Sequence, residues 1–210
     1  MEVSTIYSEM NYYSHNGVLL SKENSEDLSA RIREGEEEAF GQLFDQYQQF
    51  IARFIYGMVG DHEIAQELTQ ETFMGAYKNR QSLRGEAKLG TWLCGIAKNV
   101  VSNFFRARRR HENYIKTEID ESVIESKSPL ISPDKQLLNE ELNQVIRNAL
   151  LRLDEDRRLV FVLKVFQQLS YQEISEITGL PLPKLKTDLH RAKADVRRLI
   201  HPYLEVKNEL

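Results

Sequence analysis

The chain is poor in residues that carry covalent or metal chemistry. Its 210 residues include a single cysteine, Cys94, so no internal disulfide can form. The five histidines are dispersed, and none shows the spacing of a metal site. There is no glycine-rich phosphate-binding loop, and the cysteine has no histidine near it in the sequence. The sequence therefore predicts no catalytic set, no metal and no cofactor.

Long hydrophobic runs are also missing. No apolar stretch approaches the roughly 20 residues that span a bilayer, and the N-terminus lacks the basic start and apolar core of a signal peptide. Cys94 lies between Leu93 and Ile96, which predicts a buried small side chain and not a reactive thiol. These features predict a cytoplasmic protein with no membrane insertion.

The net charge of −4 conceals a strong alternation along the chain. Residues 1–75 carry 4 basic and 14 acidic side chains, whereas residues 76–116 carry 10 basic and 2 acidic ones. Residues 117–156 carry 4 basic and 10 acidic side chains, and residues 157–210 carry 10 basic and 6 acidic ones. Two basic blocks around an acidic segment are typical of two DNA-facing surfaces, although solvated helix faces have the same composition.

Apolar residues recur at helical spacing through most of the chain. A broad apolar face over Phe40–Met58 predicts one helix. A second helix is predicted from about His62 to Arg80, and a third from near Thr91 into the basic run Arg106–Arg110. The segment Leu159–Phe166 is strand-like in composition, but its neighbours are helical and we predict a buried helix. The expected fold class is all-α.

The same pattern divides the chain into two helical domains. The period is lost over residues 114–136, where acidic residues, serines and prolines indicate a flexible linker. We therefore predict a first domain at residues 28–113 and a second at residues 137–204. Residues 1–27 are polar without a period and are predicted to be a disordered extension, and residues 205–210 form a tail.

The clearest local signal lies in the second domain. Ser170 and Glu173 form a capping-box pattern that starts a short helix, and Gly179 supplies a tight turn. Pro183 suits the first position of the next helix, which is basic on one face and apolar on the other. This arrangement predicts a helix–turn–helix whose second helix enters a major groove. A plain helical hairpin is the alternative.

A second signal combines aromatic, amide and basic residues in the first domain. Trp92 and Asn99 share one side of a predicted helix, and Asn103 and the run Arg106–Arg110 follow. An aromatic ring can stack on an unpaired base, an asparagine can hydrogen-bond a base edge, and arginines can hold phosphates. The alternatives are a tryptophan in the core and a solvated basic helix end.

A third signal is a stripe of like charge on the preceding helix. Three glutamates repeat at four-residue spacing: Glu63, Glu67 and Glu71. Like charges at this spacing destabilise a helix by a few tenths of a kcal/mol per pair. A helix that tolerates them is either a solvated face or the binding surface for a basic partner.

These segments, in this order, resemble the extracytoplasmic-function branch of the bacterial sigma-70 family. Three stretches carry the resemblance: Ala65–Phe73, Ser82–Asn99 and Leu153–Lys193. It covers about residues 36–112 and 137–200. The resemblance implies a region 2 bundle, a linker and a region 4 helix–turn–helix. It also implies the function of an alternative sigma factor, which binds core RNA polymerase, directs it to promoters and promotes their opening without being an enzyme.

The resemblance further implies partners and site residues. The clamp helices of core polymerase would be bound by Glu67, Leu68, Gln70, Glu71 and Phe73. The minus-ten element, with a base flipped into the loop Ser82–Leu89, would be bound by Arg84, Lys88, Trp92, Lys98, Asn99, Asn103, Arg106, Arg108, Arg109 and Arg110. The minus-thirty-five element would be bound by Lys184, Lys186, Thr187, Asp188, His190 and Arg191. The polymerase flap and an anti-sigma factor are further implied partners.

The chain departs from the family pattern at several positions. Glu67 stands where aspartate is usual, Asp154 where proline is usual, and Gln168 where glycine is usual. The stretch Pro183–Asp188 replaces a usual Gly-Thr-Val-Lys-Ser-Arg. Asp188 therefore puts a carboxylate where an arginine normally meets DNA. It would either accept a hydrogen bond from cytosine or weaken phosphate contact, so promoter preference cannot be copied from relatives.

Two other classes of protein fit part of the sequence. A stand-alone DNA-binding regulator would use only the helix–turn–helix, bind promoters tightly without polymerase and have no need of Glu67 or Gln70. A protein-interaction module would present its basic faces to an acidic partner and show no dependence on DNA.

Overall fold

The structure is a computed structural model that describes residues 22–83, 88–118 and 135–208. Within these ranges the chain is helical and contains no strand, which confirms the predicted all-α class. The predictions for Arg84 and for most of the N-terminal extension and the linker lie outside the described residues.

The first half of the chain is a bundle of long helices. These are α1 (Lys22–Glu34), α2 (Glu37–Val59), α3 (His62–Lys78) and α4 (Leu89–Glu118), with a 3-10 turn at Arg80–Ser82. The helices α2, α3 and α4 pack against one another, because each turns an apolar stripe inward. Their fully buried side chains include Leu43, Ile51, Phe54 and Leu93.

The junction of α2 and α3 follows the break at Gly60 and Asp61 in the sequence pattern. Gly60 has a φ of 72°, a left-handed conformation that glycine adopts without strain, and its N–H donates to the Tyr56 carbonyl at 2.8 Å. The Asp61 carboxylate then accepts the backbone N–H of Ile64 at 3.0 Å and starts α3.

The second half consists of shorter helices and one long helix. They are α5 (Lys135–Leu151), α6 (Glu155–Phe161), a π-helix (Val162–Phe166), α7 (Tyr171–Thr178) and α8 (Leu182–Asn208). The predicted buried helix at Leu159–Phe166 is confirmed, because the side chains from Val160 to Leu163 have no exposed surface. Its second part is wound as a π-helix, with the Gln167 N–H donating to the Val162 carbonyl.

Side-chain caps start the short helices of this half. Asp154 accepts the backbone N–H of Arg157 at 3.0 Å, so the residue that replaces the usual proline is the N-cap of α6. The capping box at Ser170 is confirmed in both directions. The Ser170 hydroxyl accepts the Glu173 N–H at 3.2 Å, and the Glu173 carboxylate accepts the Ser170 N–H at 2.8 Å.

Several predicted boundaries are shifted in the structure. The helix α1 begins at Lys22, inside the stretch predicted to be disordered, and α4 and α8 continue to Glu118 and Asn208. The first turn of α1 is polar, whereas the ends of α4 and α8 still carry apolar residues such as Ile115 and Val206, so composition alone does not mark these helix ends. The helix α8 begins at Leu182, which places Pro183 second and not first, still in the first turn where its missing N–H costs nothing.

Candidate nucleic-acid interface

An acidic edge runs along the exposed side of α3. Glu63, Glu67, Gln70 and Glu71 are all exposed. Two residues that the family pattern assigns to polymerase contact do not lie on this edge. Leu68 and Phe73 are only 7% and 8% exposed. These two side chains pack into the bundle. Their burial corrects the prediction that they lie on an exposed binding surface.

Exposed apolar side chains adjoin this edge and were missed in the sequence. Met74 is 60% exposed, Tyr77 45% and Phe44 38%. The Tyr77 ring is held by an edge-to-face contact with Phe40, with centroids 4.9 Å apart. Met74 and Tyr77 follow Gln70 at helical spacing, on the same side of α3. This spacing could have identified them from the sequence.

A groove of about 430 Å³ lies between α3 and α4. It brings together residues far apart in the sequence: Glu71, Met74, Lys78, Asn79, Ser82, Asn99 and Asn103 are among those lining it. Asn99 and Asn103 were predicted from the sequence, whereas Lys78, Asn79 and Ser82 were not. The two helices approach closely at Gly75, where a Cβ would lie 3.3 Å from a methyl group of Ile96.

Trp92 is half-buried and is bonded to Ser82, one of the residues that line this groove. Its indole N–H donates to the Ser82 hydroxyl at 3.2 Å, and that hydroxyl donates to the Asn79 carbonyl at 2.7 Å. The ring therefore packs against the core and is also fixed in orientation by the 3-10 turn. Both readings of Trp92, as a core residue and as a residue of the site, are compatible with this position.

Lys88 precedes α4 and bonds across to the second half of the chain. Its ammonium lies 2.8 Å from the Glu173 carboxylate, and this hydrogen bond raises the pKa of Lys88. Burial alone would raise the pKa of Glu173, but hydrogen bonds from Lys88 and Ser170 outweigh it and the pKa is lowered. Among the other predicted residues of α4, Lys98 is half-buried, whereas Asn99 is exposed.

The arginine run on α4 is exposed, as predicted for a phosphate-binding segment, but several of its members have protein partners. Arg106 donates to the Asn103 side chain at 3.3 Å and Arg108 pairs with Glu112 at 2.9 Å. Arg109 pairs at 2.5 Å with Glu155, which belongs to the second half. Exposed pairs of this kind are weak, so phosphate groups can compete for these arginines.

The helix–turn–helix forms as predicted. Gly179 turns the chain with a φ of 73° between α7 and α8. Four predicted residues of α8 are exposed together on the face opposite its apolar residues: Lys186, Thr187, His190 and Arg191. Lys184 is also exposed, but its ammonium is bonded at 2.6 Å to Asp188, and this bond raises the pKa of Lys184.

Asp188 does not lie on the exposed face of α8. Its side chain is only 9% exposed and its carboxylate is occupied by Lys184. It shares the inward side of the helix with Leu185, Leu189 and Ala192, which are buried. Accepting a hydrogen bond from cytosine requires an accessible carboxylate, and the repulsion of phosphate by Asp188 is offset by its ion pair with Lys184. The prediction that Asp188 binds the minus-thirty-five element is therefore corrected by its burial.

Three further findings concern the residues that the structure describes. No group of three potential metal-ligating side chains occurs within them. None of the described helices is long and apolar enough to cross a membrane. Cys94 is fully buried and burial raises the pKa of its thiol, which confirms the predicted core position.

The fold and these surfaces define a class: an all-helical protein whose first half presents a groove beside an acidic edge and whose second half carries a helix–turn–helix. Comparison with known proteins makes this specific. Residues 43–111 match the family described as Sigma-70 region 2. Residues 143–196 match the family described as Sigma-70, region 4.

Several curated relatives align over most of their length. The chain is 33% identical over 156 residues to RNA polymerase sigma factor YlaC of Bacillus subtilis, which covers 74% of this chain and 88% of that protein. It is 30% identical over 173 residues to the ECF RNA polymerase sigma factor SigW of the same organism, covering 80% of this chain and 92% of that protein.

A solved structure shares the fold. The sigma factor RpoE of Bartonella quintana, determined in complex with the anti-sigma factor NepR, aligns with a TM-score of 0.62 at 24% identity and covers 78% of this chain and 98% of that chain. The chain belongs to the extracytoplasmic-function branch of the sigma-70 family. It is an alternative sigma factor, which directs RNA polymerase to promoters.

Proposed function

We propose that the chain binds core polymerase along the exposed edge of α3 and opens the minus-ten element in the groove between α3 and α4. The observation that carries the proposal is the position of Glu71, which belongs to the acidic edge and also lines the groove with Asn99 and Asn103. Polymerase contact and strand opening would then use two sides of one helix, so that docking places the groove next to the DNA.

The groove has the chemistry needed to hold an unpaired nucleotide. Asparagine amides can hydrogen-bond base edges, and Lys78 at the rim supplies a positive charge for a phosphate. Flipping a base out of the duplex costs a few kcal/mol. Contacts made only with the flipped base can offset that cost, because the duplex form gains nothing from them.

The second half would hold the minus-thirty-five element through α8. Lys186, Thr187, His190 and Arg191 are exposed on one face of a helix that follows a tight turn. We assign base and phosphate contacts to this face and leave Asp188 out of it. Lys184 remains a candidate for phosphate contact once its bond to Asp188 is exchanged.

The proposal extends to partners and place of action. Polymerase, and not this chain, would carry out the catalysis, and the chain would act with it in the cytoplasm. An anti-sigma factor is a further proposed partner. The RpoE structure contains one, and the structure of CnrH in complex with the cytosolic domain of CnrY aligns with a TM-score of 0.63 at 20% identity.

Charge reversal on α3 tests the polymerase surface. We expect Glu67→Lys with Glu71→Lys to weaken binding to purified core polymerase by at least about 30-fold, since both charges of a complementary patch change sign. The control is Glu34→Lys with Glu37→Lys. Both residues are exposed. Glu34 lies at the C-terminus of α1 and Glu37 at the N-terminus of α2, so the effects of the two charge reversals on the helix dipoles have opposite signs. Unchanged binding by a folded Glu67/Glu71 variant would refute the assignment.

Opening is tested by run-off transcription with core polymerase on a genomic fragment library. The sigma factor should produce discrete new start sites. On one of these promoters, Asn99→Ala should reduce transcription by about tenfold, the loss expected for one base contact. A pre-melted template should restore most of it. A variant that stays impaired on the pre-melted template would show that Asn99 acts elsewhere.

A further inference from the structure

A cavity of about 890 Å³ lies apart from the groove between α3 and α4. It is bounded by α2, α3 and α5, and Phe166 of the π-helix also lines it. Its volume is within the roughly 300–1,000 Å³ of small-molecule sites in proteins. Of the side chains that line it, only Gln70 has a role in the proposed function. The cavity is therefore a candidate site for a ligand that is neither polymerase nor DNA.

The charged side chains of this cavity are basic. Arg53 and Arg147 line it and are half-buried, and His62 lines it as well, whereas none of its described lining residues is a carboxylate. Such a wall is unusual in a chain that has 32 acidic side chains and a net charge of −4. An anion in the cavity would be attracted by the wall and not repelled by it.

The two guanidinium groups have the chemistry to bind phosphate. Arg147 donates through one nitrogen to the Gly60 carbonyl at 3.3 Å, and a guanidinium has five N–H donors, so this bond does not exhaust them. Burial lowers the pKa of Arg53, because its guanidinium has lost part of its hydration. A phosphate would replace that hydration with charge-assisted hydrogen bonds, which the planar guanidinium matches in geometry.

Amide side chains form much of the remaining polar wall: Gln48, Gln49, Gln66, Gln70, Asn143 and Gln144. Each amide offers both a donor and an acceptor. An aliphatic anion such as a fatty acid would cover these groups without bonding them, which costs free energy. A purine or pyrimidine ring has donors and acceptors around its edge, and amides pair with them. The wall therefore favours a heteroaromatic anion over an aliphatic one.

Aromatic rings provide a stacking surface in the same cavity. Tyr56 and His62 are stacked on each other, with centroids 4.1 Å apart and planes 19° apart. Phe44 and Phe166 also line the cavity. Nucleic-acid bases stack on aromatic side chains of any sequence context. Cations for phosphate, amides for a base edge and rings for a base face are thus combined in one cavity.

We propose that this cavity binds a nucleoside diphosphate and that the bound nucleotide competes with core polymerase. The diphosphate is held by Arg53 and Arg147, and the base packs against the Tyr56–His62 pair with amides at its edge. Gln70 lines the cavity and is also a proposed polymerase contact, so nucleotide and polymerase use the same side chain. The competition rests on the proposed function, whereas the nucleotide site does not.

Isothermal titration calorimetry of the full chain with ADP and with GDP tests the site. We expect saturable binding with a Kd below about 100 μM for at least one of them. Adenosine, guanosine and pyrophosphate should each bind at least about tenfold more weakly, because each supplies only the ring or only the charge. Pyrophosphate that binds as tightly as the nucleotides would reveal a simple anion site and overturn the proposal.

Substitutions in the wall locate the binding. Arg53→Gln with Arg147→Gln should weaken nucleotide binding by at least about 30-fold, since both charged partners of the diphosphate are lost. The control is Arg152→Gln with Arg197→Gln, which makes the same charge change at two exposed arginines outside the cavity. Ala52→Phe should also weaken binding, because it fills the cavity and keeps both arginines. Circular dichroism verifies that each variant is folded.

A nucleotide could also enter the groove proposed for minus-ten DNA, and a separate variant distinguishes the two sites. Lys78→Ala with Asn99→Ala changes only the groove, so it should leave the Kd for ADP and GDP within about twofold of the wild type. Loss of binding in this variant, or equal loss in the cavity and control variants, would overturn the assignment to the cavity. Absence of saturable binding by the wild type would do the same.

The competition is measured as the affinity of the chain for core polymerase with and without nucleotide. At a Kd of about 100 μM, 1 mM nucleotide should weaken polymerase binding by about tenfold. Ala52→Phe should bind polymerase equally with and without nucleotide, which excludes an effect of nucleotide on polymerase itself. Unchanged polymerase affinity of the nucleotide-bound wild type would overturn the competition. Failure to bind polymerase in the absence of nucleotide would instead refute the proposed function, while calorimetry still decides the nucleotide site.

Discussion

The two halves of the chain specify their helices in different ways. In the second half, α6 and α7 begin on their own side chains, Asp154 and Ser170. In the first half, the carbonyl of Met58 near the end of α2 and the carbonyl of Gly60 just after it accept hydrogen bonds from arginines of the other half. Local capping lets the second half define its short helices by itself. The end of α2 has these two hydrogen-bond partners only when the halves are together.

The candidate DNA surfaces show the same contrast. In the first half, the groove is assembled from α3, the 3-10 turn and α4, so its geometry depends on how these elements pack. In the second half, one face of α8 carries the whole surface, and a capped turn sets its direction. A surface on one helix tolerates single substitutions independently, whereas a groove between helices couples binding to packing.

The largest effect should come from breaking the link between the halves. Arg158→Met leaves the carbonyls of Met58, Leu151 and Leu153 without their donor, and we expect the free energy of unfolding to fall by about 3 kcal/mol. Burial lowers the pKa of Arg158, so the guanidinium also has an electrostatic cost that offsets part of its benefit. Urea unfolding monitored by circular dichroism measures the change.

The adjacent arginine is a matched control for this measurement. Arg157 is on the same helix, but its side chain is one-third exposed and pairs with Asp154 and Asp195. Arg157→Met should therefore cost less than about 1 kcal/mol. Equal losses for the two variants would show that the three bonds from Arg158 to the carbonyls contribute no more to stability than the partly exposed pairs of Arg157.

The face of α8 can be divided by a second pair of substitutions. We expect Arg191→Ala to weaken binding of the polymerase holoenzyme to a cognate promoter by about tenfold, since an exposed basic contact is lost. Asp188→Asn should change binding by less than about twofold, because the carboxylate is buried and bonded to Lys184. Competition with promoters randomised in the minus-thirty-five element measures both. A new base preference in the Asp188 variant would show that this residue does contribute to recognition of the minus-thirty-five element.

Much of the fold could be predicted from local signals in the sequence. The capping box at Ser170, the turn at Gly179 and the buried segment Leu159–Phe166 each depend on neighbours a few residues away, and all three are confirmed. The position of Asp188 could also have been predicted. It repeats at helical spacing with Leu185 and Ala192, which predicts a position on the buried side of α8. The family motif indicates only that its charge is unusual.

The remainder depends on contacts that sequence spacing does not define. Asn79 and Asn99 line the same groove because α3 and α4 pack closely at Gly75. The bond from Arg158 to Met58 links residues 100 positions apart, and no periodic pattern encodes such a pairing. Packing between helices is set by the combined shape of many side chains, so it became visible only in three dimensions.

The smallest effect concerns the turn that leads into the helix–turn–helix. Gln168 has a φ of 54°, and it is the one residue other than glycine with positive φ among those the structure describes. The N–H groups of Gln167 and Leu169 donate to the carbonyls of Val162 and Leu163, which makes Gln168 the left-handed residue that ends the π-helix. Glycine is the usual residue at such a position, because a Cβ is strained there.

We therefore expect Gln168→Gly to raise the free energy of unfolding by about 0.5 to 1 kcal/mol. The relief of backbone strain exceeds the entropy that glycine adds to the unfolded chain. Thermal unfolding compared with Gln168→Ala separates the causes, because alanine removes the same side-chain interactions but keeps the strain. If alanine and glycine destabilise equally, the side chain of Gln168 stabilises the turn more than its backbone strains it. Stabilisation by glycine alone would confirm that the second half tolerates a local strain that it does not need for folding.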